Sequence, residues 1–483
     1  MSEEPQYSIP TVIQHGLHAI IRMPSEAKKI ITLEKGKSIN LGKFGIFDID
    51  EIIGYPYGQT FEVLDNHKVR AIGATIYDTI DPAGDNEQEE GAEEAEATPA
   101  PESANATPIP ETLSEKIDYL KKLDVQSSSD NRNIVDIGTA QSLSMEDIEE
   151  LKKTASGANV GEAIIDKLIK SHETFHQKTK QSQEKYLRRK QQKFLRRFTV
   201  EYVSSSNLLQ YFIEKDASKV LDMSLQSMGM LLTLGNIQPG GRYLVVDETG
   251  GLIVAAMLER MQGRGEIMVL HENEHPNHSV LTHTDYPQAM LDRMVKSINI
   301  LQFFEPEEER VQFQEYTPEQ LKELKSNKRT HYYRRKQNAE QINAVIDNAV
   351  SGNFHAAILA TTLHLNTFLP KLIPSLGGSR PIVAYSQFKE PLVSLQIQSL
   401  SDLNLLAPTL QESRCRPYQT IPGRLHPLMT MRGGGGFLYS ALKVFPLEKV
   451  QAVGRTGVKK QKIVNGEAKV VGEKNKQKET TEI

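Results

Sequence analysis

Gly241-Arg-Tyr-Leu-Val-Val-Asp-Glu-Thr-Gly-Gly-Leu-Ile-Val-Ala-Ala-Met-Leu-Glu-Arg-Met-Gln-Gly-Arg-Gly-Glu-Ile-Met-Val-Leu-His271 decides the fold. Tyr243–Val246 is a short run of β-forming apolar residues, the pattern of a strand buried on both faces. Asp247–Gly251 supplies a turn, and Leu252–Met261 is apolar nearly all round, as a helix covered on both sides must be. Gly263 and Gly265 close that helix. Ile267–Leu270 then reads as a second strand, parallel to the first and reached by a right-handed crossover. The stretch predicts the first βαβ unit of a nucleotide-binding sheet.

A working unit of this kind needs bare glycines after its first strand, so that backbone N–H groups and the helix N-terminus can approach the cofactor. Methyltransferases that use S-adenosylmethionine commonly carry an acidic residue followed by Gly-x-Gly-x-Gly there. This chain has Glu248 and Gly250, then Leu252 and Val254 at the next two glycine positions. The loop is degenerate, its pocket is expected to be filled by side chains, and no cofactor is expected in this chain. A βαβ unit of some other α/β fold is the competing reading of the local pattern.

The 483 residues around this unit exceed one ordinary core. A single cysteine, Cys415, excludes an internal disulfide framework and fits a reducing compartment. The longest apolar run, Leu252–Leu258, falls far short of the ~20 residues of a membrane-spanning helix. Met1-Ser-Glu-Glu-Pro-Gln6 lacks the features of a secretory signal. The formal net charge of −5 is unevenly spread: residues 71–115 hold twelve Asp and Glu and no Lys or Arg, leaving 57 basic against 50 acidic residues elsewhere. A basic body with one acidic segment permits an anionic partner.

Taken in order, an N-terminal domain is expected over 1–80, whose residues 7–77 alternate apolar and polar positions between turn signals. Strands are expected at Thr11–Ile21, Lys29–Leu33, Ser38–Leu41, Gly45–Asp48, Thr60–Leu64 and Val69–Tyr77, as in a small β-barrel. His15, His18 and His67 show no metal-ligand spacing. Residues 81–112 are Glu, Ala, Pro and Thr with almost no large apolar side chains, and are expected to be a disordered insertion. Residues 113–143 complete the N-terminal domain, with a strand near Asn131–Gly138. A helical linker over 144–199 follows, beginning with a helix capped by Ser144. An α/β domain spans 200–450, interrupted by an insertion at 305–340, and a Lys-rich disordered tail fills 451–483. Within that domain helices are expected around 220–234, from 271 to about 300 and at 338–350. Strands are expected at His355–Ala360 and Ile382–Tyr385. The four glycines after Arg432 lack the Lys-Ser/Thr of a phosphate-binding loop and read as a loose hairpin loop.

The linker holds the second informative stretch, Lys185-Tyr-Leu-Arg-Arg-Lys-Gln-Gln-Lys-Phe-Leu-Arg-Arg-Phe198. Lys185, Arg188, Arg189, Lys190, Lys193, Arg196 and Arg197 are unopposed by any acidic residue. As a helix, Leu187, Phe194, Leu195 and Phe198 would share a docked face, and Arg189, Lys193 and Arg196 another. Like charges four apart repel and weaken an isolated helix, so the ridge points to an anionic partner, nucleic acid above all; a solvated charged helix is the bland alternative. Lys328-Arg-Thr-His-Tyr-Tyr-Arg-Arg-Lys336 is a second, weaker basic run.

The chain resembles the non-catalytic subunit of the eukaryotic tRNA (adenine-58) 1-methyladenosine methyltransferase. The most specific likeness is in Asp130-Asn-Arg-Asn-Ile-Val-Asp136, Thr174-Phe-His-Gln-Lys-Thr179, Leu232-Thr-Leu-Gly-Asn-Ile237, Leu425-His-Pro-Leu-Met429 and Gly433–Phe437. It covers most of the chain outside the acidic segment, residues 305–340 and the tail. The resemblance implies an N-terminal β-barrel joined to a Rossmann-like class I methyltransferase domain without a cofactor. It also implies a catalytic paralogue as partner, which binds S-adenosylmethionine, in a heterotetramer of two heterodimers that acts on tRNA in the nucleus. In the catalytic paralogue one strand ends in Asp-x-Pro-x-Pro-Trp, with the aspartate beside the target base. The matching stretch here, Leu359-Ala-Thr-Thr-Leu-His364, puts Ala360 at that aspartate. Glu272 is a candidate for a surviving ribose ligand. Two rival functions stay open at this level: an active, divergent methyltransferase, and an RNA-independent scaffold, for example in translation initiation.

Overall fold

The structure, a computed structural model, describes residues 9–73, 148, 160–172, 175, 178–421, 424–428, 433–447, 462–464 and 467–469. The acidic segment 81–112, the expected strand near Asn131–Gly138 and the helix after Ser144 lie outside the described residues, apart from Ile148.

Two sheets organise the chain. The larger has seven strands in the order β10-β9-β8-β11-β12-β16-β13. These are β8 Arg242–Asp247, β9 Glu266–His271, β10 Val295–Asn299, β11 Ala356–Ala360, β12 Pro381–Ser386, β13 Leu405–Glu412 and β16 Phe437–Lys443, while β14 Tyr418–Ile421 and β15 Arg424–Pro427 form a separate hairpin. The first five are parallel, and β16 runs antiparallel to both β12 and β13. The chain starts at the centre, winds one way to β10, crosses back to β11 and finishes with an antiparallel pair, as class I methyltransferase folds do. Successive residues of β8 feed opposite cores: Tyr243 and Val245 face one helical layer, Leu244 and Val246 the other. Both faces being covered explains the unbroken apolar strands. The helix Leu252–Met261 buries eight of its ten residues, leaving Glu259 and Arg260 towards the surface.

The smaller sheet has the order β2-β1-β7-β5-β6, all antiparallel. Its strands are β1 His18–Arg22, β2 Lys28–Thr32, β5 Thr60–Val63, β6 Val69–Gly73 and β7 Arg197–Tyr202. The expected barrel is not found: among the described residues β2 and β6 are the edges and no strand joins them. The reason is local. β3 Ser38–Asn40 and β4 Ile46–Asp48 pair only with each other. The missing central strand is supplied instead by β7, over a hundred residues downstream.

That strand corrects the basic helix. The helix Lys180–Phe194 ends at Leu195, whose backbone is extended (φ −73°, ψ 133°). Phe198 therefore belongs to the small sheet, its ring stacked 4.3 Å from Phe47 and 5.5 Å from Phe61. The expected linker boundary at 199 moves back to 195.

Three further expectations change. Val295–Asn299, expected to be helical, is the strand β10; with only Val295 and Ile298 apolar, an edge strand leaves little apolar signal. The expected end of the insertion at 340 is no structural boundary, because one helix runs from Ser326 to Val350. In the tail, Lys462–Val464 pairs with Glu467–Lys469.

β1 joins the two sheets. Ala19 and Ile21 enter the small-domain core while Ile20 enters the core of the α/β domain. Beside it Asp285 accepts hydrogen bonds from the His18 backbone N–H at 3.0 and 2.9 Å, and its carboxylate lies 2.7 Å from His18 Nδ1. His15 and His67 likewise sit near aspartates, Asp50 at 3.3 Å and Asp48 at 3.5 Å. No helix of the described residues is long and apolar enough to cross a membrane.

Phe198→Ala should remove the centre of the small-domain core and cost about 3–5 kcal/mol in denaturant unfolding. A loss below about 1 kcal/mol, typical of surface changes, would show that β7 is peripheral.

Candidate functional site

The carboxyl ends of the parallel strands are where open α/β sheets receive ligands, and there β8 and β11 meet at Glu248. Its backbone N–H donates to Ala360 O at 3.0 Å. Its carboxylate accepts from the Thr361 hydroxyl, and from Thr362 N–H and Thr362 Oγ1, both at 2.8 Å. The acid after the first strand and the residues after the fourth are thus bound to each other. Ala360 is fully buried and offers no polar atom beyond its backbone.

Asp247 is equally committed. One carboxylate oxygen accepts from Thr249 N–H at 2.8 Å and from the Thr249 hydroxyl. The other accepts from Ile253 N–H at 3.1 Å and Val254 N–H at 3.2 Å. It therefore caps the helix that follows, filling orphan donors of the first turn. Burial pushes its carboxyl pKa up, while the Thr249 hydrogen bonds pull it down.

The glycine turn is roofed by residues 277–281. Val280 N–H donates to Gly250 O at 3.0 Å. A methyl group on Gly250 would come 3.1 Å from Ser279 Oγ, and one on Gly251 would come 3.2 Å from the His278 backbone. Gly250 and Gly251 both have positive φ (72° and 91°), so they serve the turn and the close approach of this roof. His278 Nε2 lies 3.0 Å from Ser297 Oγ. Burial lowers the His278 pKa, with the nearby Asp247 charge acting the other way.

Leu252 and Val254 are completely buried in the same core as Val280, Leu281, Tyr286 and Met290. These residues do not fit S-adenosylmethionine: the acid is consumed, the glycines are covered, and two branched side chains complete a core. Glu272 follows the end of β9, is exposed, and has its backbone carbonyl held by Asn299 Nδ2 at 3.2 Å.

The basic residues are dispersed over two elements. Lys185, Arg189 and Lys193 are exposed on one face of helix Lys180–Phe194. Arg188 lies on the same helix, and its side chain is outside the described residues. Leu187 and Leu195 are buried against Ile165, Ile169 and Phe175, with Phe194 packed beside them. Gly161 permits this docking, since a methyl group there would come 2.7 Å from Phe194 O. Lys190 turns aside to place Nζ 4.9 Å from the Tyr186 ring centroid, and burial followed by the Lys193 charge lowers its pKa. Arg196 follows the helix. Arg197 is on β7, with Nε 3.6 Å from Glu62, a buried carboxylate that also takes Arg70 at 2.6 Å. It is thus part of the small sheet's ion pairs and leaves the cationic ridge.

Three of the four glycines, Gly434 to Gly436, are packed rather than loose, while Gly433 faces open space. A methyl group on Gly434 would come 2.2 Å from Asp222 Oδ2, and one on Gly436 2.3 Å from the Tyr385 hydroxyl. What sequence reasoning missed is Thr361 and Thr362; their place next to Ala360 was visible, but their bond to Glu248 requires the sheet order.

The isolated chain should show no micromolar binding of S-adenosylmethionine by calorimetry, and a saturable micromolar isotherm would contradict the filled site. Glu248→Ala should leave the Thr361 donor buried and unpaired and lower stability by about 1–3 kcal/mol, measured by denaturant unfolding, without opening a cofactor site.

Comparison with known proteins agrees with this geometry. The model of the Gcd10p family matches residues 12–328. The protein named tRNA (adenine(58)-N(1))-methyltransferase non-catalytic subunit TRM6 in Debaryomyces hansenii is 49% identical, over 94% of this chain and 91% of its own length. Proteins of the same name are 43% identical in Kluyveromyces lactis, over 90% of this chain and 88% of that one, and 44% in Eremothecium gossypii, over 89% and 92%. A family match across most of the chain and relatives this similar over nearly all of it leave one assignment: the chain belongs to the Gcd10p family.

Proposed function

We infer that this chain is the non-catalytic, tRNA-binding subunit of the complex that methylates N1 of adenine 58 in tRNA. One observation carries the reading: the Glu248 carboxylate is spent on Thr361 and Thr362, at the edge where a methyltransferase would hold cofactor and target base. The relatives' shared name supports the same conclusion. The chemistry then belongs to a catalytic paralogue that binds S-adenosylmethionine. Assembly of two such heterodimers into a heterotetramer, and action in the nucleus, complete the proposal and rest on the resemblance.

The RNA-binding element in this reading is helix Lys180–Phe194. Its apolar side is docked on helix Val160–Lys170, and its exposed side presents Lys185, Arg189 and Lys193. Such a ridge recognises phosphates and orients the RNA without reading bases. An RNA-independent scaffold has no need of a cationic face held outward in this way.

Changing Lys185, Arg189 and Lys193 to Ala in the assembled complex should reduce tRNA affinity about tenfold and lower the slope of log affinity against log salt by roughly 3. Methylation should fall chiefly through KM, because the reacting groups sit on the partner. Unchanged affinity and salt slope in an intact complex would contradict the RNA-binding role.

A further inference from the structure

The helix Ser326–Val350 is longer than the sheet it covers. Its 25 residues span about 37 Å at ~1.5 Å per residue, whereas the five-residue strand β11 covers about 17 Å. The helix descends to the amino end of β11, where Arg242 Nη1 donates to Ser351 Oγ at 2.9 Å. Ile346 and Ala349 pack on the sheet. The short helix Ile300–Phe304, which follows the carboxyl end of β10, packs against it. The turns before about residue 338 therefore overhang the carboxyl ends of the parallel strands, the side on which Glu248 meets Thr361.

These overhanging turns have two unlike faces. One is tied down: Arg329 Nε donates to Leu321 O at 3.0 Å, Lys336 Nζ donates to Glu315 Oε1 at 2.6 Å, and Tyr332 stacks on Tyr316 with centroids 5.0 Å apart. The other presents Lys328, His331, Arg334 and Arg335, all exposed. At ~100° per residue Lys328, His331 and Arg335 fall within one narrow arc and Arg334 borders it. No acidic residue occurs from Leu324 to Ala339. Among the described residues Lys328, Arg334 and Arg335 have no ion pair or hydrogen bond, whereas Arg329 and Lys336 do. The fold ties down one side of this basic run, with Lys336 paired to Glu315 and Arg329 held by backbone carbonyls, and leaves the other side exposed.

We propose that Lys328, Arg334 and Arg335 form a second phosphate-binding stripe, which grips the tRNA backbone above the carboxyl edge of the sheet. It stands on a different element from the Lys180–Phe194 ridge, and it rests on the reading of this chain as a tRNA-binding subunit. Two cationic surfaces on separate elements would fix the orientation of a rigid, folded RNA, which one ridge alone cannot do.

The test uses the assembled complex and fluorescence anisotropy with an unmodified tRNA transcript over a salt series. The variant Lys328→Ala/Arg334→Ala/Arg335→Ala should bind about tenfold more weakly near physiological salt, with a salt slope smaller by roughly 3. Lys336→Ala removes a charge from the same helix but faces Glu315, and should bind as the parent does. Thermal melting accompanies each variant; if the alanine version melts lower, the glutamine version of the same three positions is read instead. Unchanged binding by the stripe variant, beside weakened binding by the Lys185/Arg189/Lys193 variant, overturns the stripe and leaves the proposed function standing. Unchanged binding by both overturns both. Loss of poly-glutamate binding with tRNA binding intact would assign the stripe to an acidic protein partner and overturn the RNA proposal.

Discussion

A single carboxylate governs what this domain can do. In an open α/β sheet, the carboxyl ends of neighbouring strands diverge at the point where the chain reverses direction, and ligands enter that crevice. Here Glu248 spans it, accepting from the Thr361 hydroxyl and from two donors of Thr362. Charge-assisted hydrogen bonds of this kind are stronger than neutral ones. The crevice becomes a joint between β8 and β11. Once it is closed, the neighbouring positions are free to become core, and Leu252 and Val254 have done so.

The same economy runs through the surrounding structure. Asp247 caps a helix instead of facing a ligand, residues 277–281 cover the glycine turn, and the Gly434–Gly436 stretch packs on Asp222, Ser224 and Tyr385. Both Asp247 and Glu248 have their carboxylate oxygens satisfied by the protein itself. Charge stands on the outside for a partner, carried by helices whose other sides are docked. That division fits a subunit that holds RNA while another performs the transfer.

Much of the α/β core could be read from residues alone, because two-sided burial writes apolar runs such as Tyr243–Val246 and Ile267–Leu270 directly into the chain. The degenerate cofactor loop was equally plain, since Leu252 and Val254 cannot act as glycine. Other features depend on contacts far apart in the chain. β10 was hidden because an edge strand needs few apolar residues. β7 was hidden because Phe198 continues the helical spacing of Leu187 and Phe194, and only the pairing with β1 and β5 marks the break at Leu195. Among the described residues the small sheet stays open between β2 and β6, and local alternation cannot say whether a sheet closes. Arg197 looked like one more ridge cation until the fold set it beside Glu62.

The account turns on where the methyl donor is held. Photo-crosslinking radiolabelled S-adenosylmethionine to the assembled complex, followed by separation of the subunits, addresses it without altering a residue. The account predicts label on the catalytic partner and none on this chain. Specific label within residues 247–254 or 277–281, competed by unlabelled cofactor, would contradict it.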